Sequence, residues 1–117
     1  LISGDLVQYK VVPSLLGGTA GSSAWIATLD RLETLHPRII VPTHSRTGDG
    51  SLIAEVRAFI VDMRTRTLAL KAKGVGVEDA VKQMTDYFKT AYPEWVANTD
   101  WANVNSIPGF VRRIYAE

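Results

Sequence analysis

The stretch RIIVPTHS at residues 38–45 decides the expected fold, because it joins a short apolar run to a polar loop. The run Arg38-Ile39-Ile40-Val41 is typical of a short strand that is covered on both faces. The polar loop over residues 42–50 follows at the carboxyl end of this strand, where α/β sheets place their ligands. The sequence therefore predicts a buried strand that presents His44 at one edge of a sheet.

A second apolar region precedes this strand. Residues 1–12 contain three apolar pairs that are interrupted at Gly4-Asp5, which predicts a strand, a tight turn and a further strand. From Ser22 or Ser23 to His36-Pro37, apolar side chains recur with a period near 3.6, so we expect a helix that ends before the proline. A helix between two apolar strands is a βαβ unit, whose right-handed crossover makes the strands parallel neighbours.

The rest of the chain has helical periodicity. Residues 51–74 predict a long helix closed by Gly74. Another helix is predicted to begin at Gly76 or Val77 and to end at Tyr92-Pro93. Residues 109–117 predict one or two terminal helical turns.

These patterns predict two parts. Residues 1–50 are expected to carry the strands, the connecting helix, a glycine-rich loop over residues 13–21 and the His44 loop. Residues 51–117 are expected to form a helical extension, which Trp95 and Trp101 pack against the core because tryptophans bury large areas.

Asp5 and His44 are the candidate metal ligands. Each lies in a loop after a predicted strand, and neighbouring parallel strands would bring both loops to the same edge of the sheet. A carboxylate and an imidazole are good ligands for Zn²⁺ and similar ions. The alternative is structural, because an aspartate after a glycine is commonly a turn former. Two ligands alone also do not make a tight metal site, which needs three or four.

Both segments resemble motifs of one family. ISGDLV at residues 2–7 is similar to the strand-Gly-Asp motif of metallo-β-lactamase-fold hydrolases, whose aspartate bridges two metal ions. VPTHS at residues 41–45 resembles the strand-Pro-Gly-His-Gly segment of that family, whose histidine binds the second ion. The resemblance covers roughly residues 1–50. It departs from the family at Thr43 and Ser45, which stand where the family usually has glycines.

The resemblance implies an α/β fold, in part α+β. The chain would be the C-terminal half of a four-layer αββα sandwich, with two or three strands, a connecting helix and a helical C-terminal extension. It also implies one or two Zn²⁺ ions in the intact parent protein, with Asp5 bridging them and His44 completing one coordination sphere. Ser3, Thr43 and Asp49 are candidates for hydrogen bonding to the other nitrogen of His44.

The implied function is that of a metal-dependent hydrolase with a metal-bound hydroxide nucleophile and a small-molecule substrate. The His-x-His-x-Asp-His segment of the family has no counterpart in this sequence, so we expect a fragment that binds metal weakly and is inactive alone. Its expected partners are the N-terminal half of the domain and, because strands without neighbours seek them, a second copy of the chain. The alternative is a stand-alone α/β binding or oligomerisation module in which Asp5 and His44 are turn residues.

Net charge, cysteine content and the length of apolar stretches limit which partners and sites the chain can have. Thirteen basic and twelve acidic residues leave a net charge of +1, which indicates neither a nucleic acid nor an anionic membrane surface as partner. The absence of cysteine excludes disulfides and thiolate metal sites. No apolar stretch approaches the roughly 20 residues that cross a bilayer, so we expect a soluble chain. The segment at Leu1 reads like the middle of a strand, which indicates a truncated or processed chain whose targeting signal would lie upstream.

Overall fold

The computed structural model describes residues 1–13, 21–98 and 103–117, with the backbone only for residues 103–106. The elements in chain order are β1 (Ile2–Gly4), α1 (Ser22–Glu33), β2 (Val41–Pro42), α2 (Ser51–Ala72), α3 (Val77–Ala91), α4 (Pro93–Ala97) and α5 (Asn103–Ala116). Most of the glycine-rich loop predicted over residues 13–21, and Trp101, lie outside the described residues.

β1 and β2 form a two-stranded parallel sheet, in which Ile2 pairs with Val41 and Gly4 with Pro42. The chain between them contains α1, so the predicted βαβ unit is confirmed. The prediction that the second strand is covered on both faces is wrong. Ile40 is fully buried, whereas Ile39 is 64% exposed and Val41 is 41% exposed. The strand thus alternates between core and solvent, as expected where a sheet is covered on one face only.

The predicted four-layer αββα sandwich is wrong for this chain. Helices make up 63% of the structure and strands 7%, and within the described ranges there is one sheet of two short strands. The further strand predicted between the Gly4-Asp5 turn and Val12 does not form. Val11 and Val12 are both buried, but Lys10 before them has a φ of 46°, which takes the backbone out of the extended conformation that a strand needs. Val11 and Val12 are therefore buried in a segment that is not a strand.

The core is mainly helical and centres on α2. Phe59 of α2 is fully buried and stacks on Trp95 of α4, with 4.3 Å between the ring centroids. Phe88 of α3 and Tyr92 meet the same phenylalanine edge to face, each with its centroid 4.9 Å away. Such aromatic pairs add to the free energy gained from burial. The predicted packing of Trp95 against the core is confirmed.

The helix predictions are largely confirmed. α2 begins at Ser51 and ends just before Gly74, whose φ of 77° is the left-handed conformation that commonly ends a helix. α3 begins at Val77, one of the two predicted starts, and α5 is longer than the one or two predicted turns. Buried side chains on both sides of residue 50 belong to one continuous core. Among the described residues, no helix is long and apolar enough to cross a membrane.

The N-terminus of α1 is capped by Glu117, a residue far away in the sequence. Gly21 precedes the helix and has no side chain that could accept hydrogen bonds from the backbone N–H groups in the first turn of α1. Instead, Glu117 accepts hydrogen bonds from the backbone N–H of Ser22 at 2.5 Å and from the Ser22 hydroxyl at 2.9 Å. A carboxylate at a helix N-terminus satisfies unpaired donors and interacts favourably with the helix dipole. This contact therefore ties the residue after α5 to the helix that connects the strands.

We expect the substitution Glu117→Ala to lower the free energy of unfolding by about 1 kcal/mol, the usual cost of losing a cap. Glu117→Gln should lose less, because its amide oxygen still accepts a hydrogen bond. Urea denaturation followed by circular dichroism measures both. Glu33→Ala, at the opposite end of α1, is the control and should cause no comparable loss. Wild-type stability in Glu117→Ala would show that the capping contact contributes nothing.

Candidate metal centre

Asp5 lies in a tight turn directly after β1. Gly4 has a φ of 58°, a left-handed conformation that side chains other than glycine adopt with strain. The turn is closed by the N–H of Leu6, which donates to the carbonyl of Ser3 at 3.1 Å. The buried Ser3 hydroxyl donates to the carbonyl of Val7 at 2.8 Å, and the Trp25 indole N–H donates to the carbonyl of Leu6 at 3.0 Å. The backbone on both sides of Asp5 is therefore held in place.

His44 lies in the loop that follows β2. Two backbone hydrogen bonds between Ile40 and Gly48, of 2.8 and 3.1 Å, close the base of this loop. The N–H of Thr43 donates to the carbonyl of Gly4 at 3.2 Å, so the two strand ends are bonded to each other. On the other side of His44, the Ser45 hydroxyl oxygen accepts the backbone N–H of Tyr9 at 2.8 Å. These contacts fix the position of the histidine backbone relative to the Asp5 turn.

The structure brings the two predicted ligands together. His44 Nε2 lies 3.5 Å from Asp5 Oδ1. Two donor atoms about 2.1 Å from one tetrahedral zinc ion lie about 3.4 Å apart, so the observed spacing fits ligands of a common ion. The His44 side chain is 48% exposed and that of Asp5 is 70% exposed, which leaves room for an ion and for additional ligands. The donor types and the spacing both fit zinc.

The same pair is not a complete metal site. Within the described ranges, no group of three or more His, Cys, Asp and Glu side chains could hold an ion. His36, the other histidine, follows α1 with a φ of 47° and is not part of the pair.

The three candidate partners for His44 have other contacts. The Ser3 hydroxyl bonds to Val7, and the backbone of Thr43 bonds to Gly4. Asp49 Oδ1 accepts the Ser51 backbone N–H at 2.9 Å and the Ser51 hydroxyl at 2.5 Å, at the start of α2. These hydrogen bonds, that of the hydroxyl first, lower the pKa of Asp49. Asp49 therefore orders the beginning of α2.

Sequence reasoning missed two features of the site. Gln8 Nε2 donates to Asp5 Oδ1 at 3.3 Å, which adds a neutral donor beside the pair. A groove of about 480 Å³ also opens next to His44, lined by Tyr9, Val11, His44, Ser45, Arg46 and Asn98. These residues come from three separate segments and share no sequence motif. Only the proximity of Ser45 and Arg46 to His44 along the chain pointed to them.

Comparison with known proteins adds no relative: no family model, no curated protein and no solved structure matches this chain. The functional argument therefore depends on the geometry of the described residues.

The lowered pKa of Asp49 predicts a pH-dependent contribution to stability. A carboxyl group whose pKa is lower in the folded state stabilises the fold above its ordinary value of 3.8, and that contribution is lost as pH falls through the folded value. We expect Asp49→Ala to be less stable than wild type at about pH 6 and the gap to narrow towards about pH 2.5. Urea midpoints of both proteins across this range test it. A gap that does not change with pH would show that the charge of Asp49 is not involved.

Proposed function

We propose that this chain contributes Asp5 and His44 to the zinc site of a metal-dependent hydrolase similar to those of the metallo-β-lactamase family. The observation that carries the proposal is the 3.5 Å separation of Asp5 Oδ1 and His44 Nε2, at the carboxyl ends of two adjacent parallel strands. This is the edge of an α/β sheet at which ligands usually bind. It also agrees with the similarity of residues 2–7 and 41–45 to the two motifs of the family.

Asp5, His44 and Gln8 would each have a specific role in such a site. The Asp5 carboxylate supplies an anionic oxygen ligand, and the His44 imidazole supplies a nitrogen ligand. Gln8 donates to the same Asp5 oxygen at 3.3 Å and so restricts how the carboxylate turns. When bound, zinc supplies a Lewis acid and an activated water for hydrolysis of a small-molecule substrate.

The remaining ligands come from outside the described residues. Structural and catalytic zinc sites use at least three protein ligands, whereas this pair supplies two. A partner polypeptide that adds histidine or carboxylate ligands at the exposed side of Asp5 and His44 would complete the site. Without it, the chain binds zinc weakly and does not turn over substrate.

A zinc titration tests the pair directly. We expect the intact chain to bind zinc weakly and the double variant Asp5→Ala, His44→Ala to bind at least about tenfold more weakly, since even residues behind metal ligands can change affinity by that factor. Isothermal titration calorimetry or competition with a zinc-sensitive dye measures the difference.

The matched control for this titration is His36→Asn, which removes the other histidine. Asparagine is suitable because it tolerates the left-handed backbone of residue 36. This variant should bind zinc like wild type. Equal zinc binding by the wild-type chain and the double variant would remove Asp5 and His44 from the metal site.

A second candidate function is oligomerisation, favoured by the exposed apolar side chains of the sheet. Ile2 is 85% exposed and Ile39 is 64% exposed, and Val41 beside them is also exposed. A two-stranded sheet also leaves outer edges whose backbone groups can pair with another strand. A second copy of the chain would satisfy both features.

We expect the chain to dimerise at high concentration and the double variant Ile2→Thr, Ile39→Thr to shift towards monomer, because threonine keeps the β-branched shape but removes apolar area. Sedimentation velocity measures the change. Leu35→Thr, at an exposed apolar side chain outside the strands, is the control and should behave like wild type. A wild-type chain that stays monomeric at high concentration contradicts this second candidate.

A further inference from the structure

The groove beside His44 is lined by a cationic side chain, that of Arg46. The Arg46 guanidinium lies over the Tyr9 ring, with Cζ 3.7 Å from the ring centroid. Stacking on an aromatic ring restricts the guanidinium to one plane and leaves the N–H donors at its edge directed away from the ring. In residues 1–13, 21–98 and 103–117, no hydrogen bond or salt bridge occupies these donors. Arg46 therefore lines the groove as a guanidinium packed on an aromatic ring, with N–H donors that an anion in the groove can accept from.

The charges around the groove favour an anion. Glu94 is the nearby carboxylate whose pKa responds to Arg46, and its closest partner is Lys10, with Nζ 2.5 Å from Oε2. The hydrogen bond to Lys10 is the main cause of the lowered pKa of Glu94, so the negative charge is already paired. Glu55 also acts electrostatically on Lys10, so two carboxylates offset the Lys10 charge and the positive charge that lines the groove is that of Arg46. An anionic group is attracted there.

Neutral donors and an apolar wall complete the groove. The Asn98 amide donates to the carbonyl of Lys10 at 3.1 Å, and because an amide carries two N–H donors, the second has no partner among the described residues. The Ser45 hydroxyl oxygen accepts the backbone N–H of Tyr9, and within the described part of the chain its own hydrogen has no acceptor. Val11 lines the groove with the 6% of its surface that remains exposed, which gives a small apolar contact beside the Tyr9 ring. The groove thus combines donors with an apolar contact for the body of a small molecule.

We infer that this groove binds the oxyanion group of a small organic acid, with the anion on Arg46 and the apolar part of the molecule against Val11 and Tyr9. Its place in catalysis rests on the proposed hydrolase function. Because His44 lines the groove, a substrate held by Arg46 would extend towards the Asp5–His44 pair, where its scissile bond would lie. The hydrolase would therefore act on anionic substrates. Anion binding to Arg46 itself requires no metal and can be tested separately.

Phenylacetate is a suitable probe because it joins a carboxylate to a small apolar ring. We expect an NMR titration of the metal-free chain to show binding, with backbone shifts at Tyr9, Ser45 and Arg46. Arg46→Gln should weaken binding about tenfold, the effect of losing a charge-assisted hydrogen bond. Arg46→Lys should recover part of the affinity, because it restores the charge without the planar fork. Phenyl phosphate, tested in parallel, identifies which oxyanion binds more tightly.

Three controls separate this inference from general charge effects and from the metal site. Arg31→Gln removes the same charge from α1, which does not line the groove, and should not change the affinity. Phenylacetamide, a neutral analogue of the probe, should bind at least about tenfold more weakly. Asp5→Asn removes one of the two metal ligands and should still bind phenylacetate. Equal affinity of Arg46→Gln and wild type, equal affinity for phenylacetamide, or loss of binding in Asp5→Asn would each overturn the assignment.

Discussion

Parallel pairing of β1 with β2 is the constraint on which the candidate site depends. The N–H of Val41 donates to the carbonyl of Leu1 at 2.8 Å, and the N–H of Thr43 donates to the carbonyl of Gly4 at 3.2 Å. The second bond lies at the point where both strands end. Since the strands run in the same direction, the residues that follow them leave the sheet at the same edge. Asp5 and His44 are therefore neighbours because of backbone pairing, although 38 residues lie between them in the sequence.

So small a sheet needs support from the helices. Two short strands are marginal alone, but Ile40 of the second strand region is fully buried in the core that α2 organises. The Phe59 ring of α2 also stacks on the Trp95 ring of α4. The neighbouring residue of α4, Glu94, forms an ion pair with Lys10 beside the groove. The packing of α4 on α2 therefore positions the wall of the groove that contains Asn98. A change deep in the aromatic cluster would reach the site through α4.

The sequence predicted the elements with long, regular patterns and the contacts that follow from chain connectivity. α2 and α3 have clear helical periodicity, and a helix between two apolar segments was sufficient to predict parallel strands and hence the approach of Asp5 to His44. The further strand predicted between Gly4-Asp5 and Val12 does not form, because apolar pairs are compatible with any buried backbone. The left-handed conformation of Lys10 was not apparent from residue type. The four-layer sandwich was inferred from resemblance, and the described residues contain too little strand to form it. The groove was missed because Arg46 and Asn98, which are distant in the sequence, line the same groove only as a result of tertiary packing.

The most direct test of the metal pair uses the fact that the chain has two histidines. In a chain labelled with ¹⁵N at histidine, zinc bound between Asp5 and His44 should shift the Nε2 resonance of His44 and leave both nitrogens of His36 unchanged, because Nε2 is the atom that faces Asp5 Oδ1. The Asp5→Asn variant should reduce this shift at the same zinc concentration. Equal shifts at His36 and His44, or a His44 shift that does not depend on Asp5, would contradict a metal site formed by this pair.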